Sequence, residues 1–210
     1  MKYNPEIHHR RSIRLKGYDY TQSGAYFITF CAYQRMHVFG EVVDGEMVLN
    51  ETGKIAREEW FKTAEIRPYV KLYEDEFVLM PNHGHGIIWI DDDWARQRRA
   101  PTETTEKFGK PVKGSIPTIV RAYKSAVTHA VNAAENQRGA VLWQKNYYEH
   151  VIRNERELNN IGWYIVNNPL NWQLDRDNFQ NIRKLFPPEM VEEYLKDVEN
   201  MVLKLKADTR

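Results

Sequence analysis

The stretch Phe77-Val78-Leu79-Met80-Pro81-Asn82-His83-Gly84-His85-Gly86-Ile87-Ile88-Trp89-Ile90 constrains the fold of this chain more than any other. An apolar run enters Pro81-Asn82, a turn pair, and a second apolar run leaves it, which predicts two tightly joined strands with His83 and His85 opening the second. Side chains two apart on a strand project to the same face. Both imidazoles can then meet one small ion or one phosphate without any bend in the backbone, which a helix allows only at spacings of three or four. Two polar residues on the solvated face of an edge strand would give the same pattern, so the segment alone leaves both readings open.

The flanking sequence supplies the elements such a ribbon needs. Ala25-Tyr26-Phe27-Ile28-Thr29-Phe30-Cys31-Ala32-Tyr33 is rich in aromatic and β-branched residues and predicts a strand. Asp44-Gly45 between two short apolar runs predicts a hairpin. Asn50 reads as an N-cap, with Ala56, Trp60 and Ala64 on one face of the helix it opens and Pro68 closing it. A single strand is expected from about Val70 to Met80. Ser115, with Pro117 in the first turn, caps a second helix marked by Ile119, Val120, Tyr123, Val127 and Val131. Val141-Leu142-Trp143 and Tyr147 to Ile152 read as a loop or short strands. Asn154 then caps a third helix, whose N-terminal dipole suits Glu155 and Glu157. On that helix Tyr164 and Asn168 are four apart and lie one above the other, and Pro169 stops or kinks it.

Composition bounds the rest. The 210 residues suffice for one domain with a full core and appendages. A hydrophobic share of 42%, with 6 Trp and 12 Tyr, excludes a disordered chain. The net charge of +1 argues against a blanket nucleic-acid coat but not against a local basic surface. Arg10, Arg11, Arg14 and Lys16 form a basic N-terminal arm over residues 1–24, which either keeps the terminus soluble or contacts phosphate. Arg121 and Lys124 add to the basic tally. The polar, Pro- and Gly-containing stretch 91–115 reads as a flexible loop or as a clamp on nucleic-acid backbone. Lone Cys31 cannot form an internal disulfide and is expected to be a small core residue in a reducing cytoplasm. No apolar leader or membrane span is apparent, so a cytoplasmic, soluble chain without a membrane partner is expected. Residues 177–210 contain an amphipathic pattern from Pro188 to Lys206, expected to pack on its own domain or to swap onto a second copy as a homodimer.

Several separated motifs, in order, carry a resemblance. Met80-Pro81-Asn82-His83-Gly84-His85-Gly86-Ile87-Ile88 is followed by Trp143-Gln144, by Tyr148-Glu149-His150-Val151-Ile152-Arg153-Asn154 and by Tyr164-Ile165-Val166-Asn167-Asn168-Pro169. Together with Arg11-Ser12, Gly17-Tyr18-Asp19-Tyr20 and Gly24-Ala25-Tyr26-Phe27-Ile28-Thr29, this resembles the HUH-type single-tyrosine transposases, in their REP-associated branch. The resemblance runs from about Arg10 to Trp172. It implies an α+β fold over residues 25–176, an antiparallel sheet flanked by helices and related to the ferredoxin-like fold. By motif position His83 and His85 correspond to the paired metal ligands, Tyr164 to the nucleophile and Asn168 to the polar ligand one turn after it. The residue between the histidines is usually bulky and apolar in that family. Here it is Gly84, which is expected to weaken the packing beneath the strand.

The chemistry follows from the residue types. Anionic oxygens shield a phosphodiester from nucleophiles, so a divalent ion, Mg²⁺ or Mn²⁺, held by two neutral imidazoles and an amide oxygen would neutralise that charge. A phenol with an ordinary pKa near ~10 is a poor nucleophile at neutral pH, and a nearby cation favours its anion. The expected substrate is single-stranded or hairpin DNA; as the resemblance implies, it would be cut through a 5′-phosphotyrosine intermediate that allows strand transfer without a nucleotide cofactor. Tyr148 competes with Tyr164 for the nucleophile role, but only Tyr164 has an amide at i+4. His129 and His150 read as structural, with an orienting role open for His150. Two other readings remain: a hairpin-binding protein that no longer cuts, and a metal-dependent nuclease that uses activated water.

Overall fold

A computed structural model describes residues 15, 17–92, 112–136, 139, 141–175 and 178. The basic arm residues Arg10, Arg11, Arg14 and Lys16, most of the 91–115 stretch and the C-terminal amphipathic pattern lie outside the described residues.

The strand β1 (Gly24–Ala32) is the centre of the sheet. On one side it pairs antiparallel with β6 (His83–Ile90), in a register that sets Thr29 opposite His85 and Cys31 opposite His83. On its other side runs β7 (Trp143–Ile152), also antiparallel. The outer edge of β6 is shared by β4 (Val70–Lys71) and β5 (Phe77–Met80), which pair with its end and its beginning. A separate ribbon joins β2 (Gly40–Val43) to β3 (Glu46–Leu49). Its Asp44-Gly45 turn has φ of 51° and 81°, the doubly left-handed geometry that a tight hairpin requires.

Two sequence expectations change here. The run from Val70 to Met80 is broken into β4 and β5 by a 3-10 turn at Glu74–Glu76. Three consecutive acids favour a solvated turn, and the last of them reaches back to accept a 2.6 Å hydrogen bond from the Trp89 indole. Trp143 to Ile152 is one continuous ten-residue strand and not a loop. Its polar residues hide the strand signal, and pairing with β1 decides the conformation.

Period-2 alternation gives the sheet two different faces. Tyr26, Ile28 and Phe30 point towards α1 (Glu51–Glu65) and α2 (Ile116–Ala134), forming the main core with Trp60, Tyr123, Val127 and Trp143. Ala25, Phe27 and Ile87 point the other way, towards Ile165, Leu158 and Ile161 of α3 (Glu155–Asn167). The α1 N-cap is Asn50, whose side chain accepts from Gly53 N at 2.9 Å. Ser115 sits at the N-cap of α2, but its hydroxyl meets the Thr118 hydroxyl at 3.1 Å instead of a backbone N–H.

Gly84 does not leave a void. It faces the main core, where a Cβ would lie 2.5 and 2.6 Å from ring atoms of Phe30 and 3.0 Å from Leu79. Phe30 is fully buried, its ring centroid 5.8 Å from that of Trp60, 5.1 Å from Tyr123 and 5.3 Å from Trp143. The expected weakness beneath the strand is therefore overturned. The bulk comes from the neighbouring strand, and Gly84 is small because Phe30 is large.

Candidate active site

Because β6 alternates, His83 and His85 fall on the α3 face while Gly84 and Gly86 fall on the helical core. Both imidazoles are buried. The two rings lie 4.7 Å apart at 75°, close enough to address a common point.

Each imidazole is held by a partner that fixes its orientation. The Asn82 side-chain N–H donates to Arg35 O at 3.2 Å, which leaves Asn82 Oδ1 as an acceptor 2.8 Å from His83 Nδ1. His83 Nδ1 is then the donor, and in the neutral imidazole Nε2 keeps its lone pair. His85 Nδ1 lies 2.8 Å from Thr29 Oγ1, its cross-strand partner, and its ring stacks on Phe27 at 5.4 Å. Burial chiefly, then the charges of His83 and Arg35, hold His85 well below the usual imidazole range. It is neutral at physiological pH, the form that offers a lone pair to a cation.

The third helix brings its groups from the other side. Asn154 caps α3, accepting from Glu157 N at 2.9 Å, and Ile165 anchors its buried face. One position before Ile165, the Tyr164 hydroxyl lies 3.2 Å from His85 Nε2. Tyr164 is 43% exposed, so the phenol reaches the histidine from the solvent side and is not sealed in hydrocarbon. Asn168 follows at the C-cap, almost fully buried. Trp172, one turn further on, places its ring 6.1 Å from His83. The segment thus passes His85 at Tyr164 and His83 at Trp172, with Asn168 between them.

Asn168 Oδ1 is buried with no hydrogen-bond partner among the described residues. An orphaned buried carbonyl costs about 1–3 kcal/mol, so it is a feature that needs a use. Among the described residues no group of three or more His, Cys, Asp or Glu is placed to hold a metal. The available donors are two imidazole nitrogens and one amide oxygen, all neutral. That set fits a divalent cation that takes mixed nitrogen and oxygen ligands and leaves positions for phosphate or water.

Other sequence candidates are placed elsewhere. Tyr148 lies on β7 opposite Thr29, half-exposed, its ring 6.4 Å from Phe27. His150 Nε2 is 3.3 Å from Glu157 Oε2, which also accepts from Arg153 N at 3.0 Å, so this histidine ties β7 to the start of α3. His129 lies on α2. Arg121 and Lys124 also belong to α2, the layer on the opposite side of the sheet from the histidines. The Lys124 ammonium is engaged, donating to Gln144 O at 2.5 Å and Asn146 O at 3.1 Å and lying 5.7 Å from the Trp143 ring centroid. Its position ties α2 to β7.

Sequence reading missed Thr29 and Asn82 as the groups that aim the imidazoles. Asn82 stood beside the histidines and could have been weighed as their support. Thr29 could be found only from strand register.

The sheet order and the helix layers are those of a tyrosine transposase fold. The solved structure of the REP-associated tyrosine transposase bound to a REP hairpin matches at a TM-score of 0.50 and 19% identity, over 81% of this chain and 86% of that one. In sequence, a protein of Haemophilus influenzae (strain ATCC 51907 / DSM 11121 / KW20 / Rd), described as uncharacterized, is 41% identical over 177 residues. The match spans 83% of this chain and 96% of that protein, and the chain belongs to its family. No family model matches. Among the described residues no helix is long and apolar enough to cross a membrane.

Proposed function

We propose that this protein is a transposase-like enzyme that cuts and rejoins single-stranded or hairpin DNA through a covalent bond to Tyr164. The observation that carries the reading is the 3.2 Å approach of the Tyr164 hydroxyl to His85 Nε2, from a helix far along the chain. His83, His85 and Asn168 would hold a divalent ion, Mg²⁺ or Mn²⁺, whose contribution when bound is to neutralise the phosphate and favour the phenolate.

The chain's own groups do the rest. Thr29 and Asn82 keep the imidazoles facing the cleft, and the rigid α3 presents the phenol. The Tyr164 oxygen bonds to phosphorus and the bond from phosphorus to the 3′ oxygen breaks. The phenolic proton passes to solvent, and the departing oxygen takes one up to become a free 3′-OH. The phosphotyrosine retains the energy of the broken ester, so a 3′-OH can reverse the step on a new strand. A solved relative in fold is described as bound to a REP hairpin, which supports a folded-back strand as the substrate class.

The test is a covalent-adduct assay with labelled hairpin DNA and Mn²⁺, resolved under denaturing conditions. Label should travel with the wild-type protein and be lost in Tyr164→Phe. Cleavage without adduct would favour activated water, and tight binding with neither would favour an inert binder. An adduct that survives Tyr164→Phe would assign the nucleophile elsewhere, with Tyr148 the next to examine.

A further inference from the structure

Tyr147 and Tyr148 are neighbours on β7 and so fall on opposite faces of the sheet. Tyr147 stands opposite Phe30 and packs on the main core. Tyr148 stands opposite Thr29 on the α3 face, and the chemistry at Tyr164 gives it no task.

The register sets Tyr148 in line with the site. Thr29 has His85 as its partner on one side and Tyr148 on the other, so the three cross the sheet in one row and point the same way. With neighbouring strands about 4.8 Å apart, the His85 and Tyr148 backbones are roughly 10 Å from each other. Phe27, on the same face, is the common neighbour of the rings around it. It stacks on His85 at 5.4 Å, meets Tyr164 at 6.3 Å and 80°, and meets Tyr148 at 6.4 Å and 70°.

The α3 helix covers this face unevenly. Its Glu157 engages His150, two residues further along β7, and its Tyr164 reaches His85 at the β6 end of the row. Thr29 in the middle of the row is half-buried, and Tyr148 at the β7 end is 47% exposed. The surface is therefore accessible from the reactive phenol, across Thr29, to a second aromatic ring. A strand that presents a phosphate to Tyr164 has to splay the bases beside it, and each splayed base loses its stacking in the DNA. An aromatic side chain restores that stacking whatever the sequence, because every base has a π face.

We propose that Tyr148 is the stacking platform for an unpaired base next to the scissile phosphate, and that the row from His85 to Tyr148 is the track of the single strand. The proposal rests on the reading above that DNA is cut at this site, and adds a substrate contact to it.

The experiment uses the full-length protein and labelled hairpin DNA with single-stranded flanks, the position of the cut being mapped first with wild type and Mn²⁺. Binding is then followed without metal on the same DNA carrying fluorescent 2-aminopurine on one side of the cut or the other. In the wild-type complex the probe should be quenched at one of the two positions, and equally so in Tyr148→Phe, which keeps the ring. In Tyr148→Leu, apolar but without a π face, the probe should stay bright and affinity should fall about 5–150-fold. An abasic site at the quenched position should bring wild type and Tyr148→Leu to within about twofold of each other, which a merely structural role would not do. No quenching in the wild type, quenching retained in Tyr148→Leu, or an affinity difference that persists on the abasic DNA overturns this proposal alone. Cutting without an adduct overturns the phosphotyrosine reading alone, since the quench is read without chemistry. No cutting at all overturns both, as does an adduct that forms in Tyr164→Phe and is lost in Tyr148→Phe.

Discussion

Gly84→Ala is the smallest change that tests why a glycine stands between the two histidines. The new methyl would lie 2.5 and 2.6 Å from two Phe30 ring atoms and 3.0 Å from Leu79 Cδ1. Ordinary carbon contacts are about 3.5–4.0 Å, so the ring would have to retreat by roughly 1 Å. It has no free direction, with Trp60, Tyr123 and Trp143 around it. Overpacking of this kind costs about 1–3 kcal/mol. Urea unfolding followed by tryptophan fluorescence should show the midpoint falling with little change in slope. Phe30→Ala alone should cost about 3–5 kcal/mol. The double change Gly84→Leu with Phe30→Ala should cost less than the sum of the single changes by about 1–3 kcal/mol, because the leucine fills the space the ring vacates. If Gly84→Ala unfolds within about 0.5 kcal/mol of wild type, the argument that Phe30 replaces the missing bulk is wrong.

Three other perturbations separate the jobs of particular residues. Thr29→Val removes the hydroxyl 2.8 Å from His85 Nδ1 and should weaken Mn²⁺ binding about 10–100-fold by titration, with little loss of fold. Asn168→Leu replaces a buried carbonyl that has no partner among the described residues; the metal-free protein should melt at an equal or higher temperature while adduct formation with Mn²⁺ is lost. Lys124→Met should lower stability by about 1–3 kcal/mol through the lost bonds to Gln144 O and Asn146 O, yet leave hairpin affinity within twofold in a filter-binding assay. Burial lowers Lys124 from 10.5 to about 8. Below that pH both folded and unfolded chains keep the proton. Between about 8 and 10.5 only the unfolded chain does, so its contribution makes stability rise with pH across that window, and Lys124→Met should flatten the rise.

The sequence by itself determined the elements whose signals are local. Asp44-Gly45 set the hairpin, Asn50 and Asn154 set the starts of two helices, and the two-residue spacing of His83 and His85 put both imidazoles on one face. The four-residue spacing of Tyr164 and Asn168 likewise followed from helix geometry alone. Motif order then supplied the fold class and the expectation that these two pairs meet, although no local rule links residues 79 apart.

Only the tertiary structure decided the rest. It joined Trp143 to Ile152 into one strand, because hydrogen bonding to β1 outweighs a poor apolar pattern. It filled the space above Gly84 with Phe30, since packing is settled between neighbouring strands and not along one. It chose Thr29 and Asn82 as the supports of the imidazoles and turned Arg121 and Lys124 to the far layer of the sheet. Periodicity tells which residues of one element share a face. Which face then meets which partner depends on register and layer order, and those are fixed only when the whole chain closes on its core.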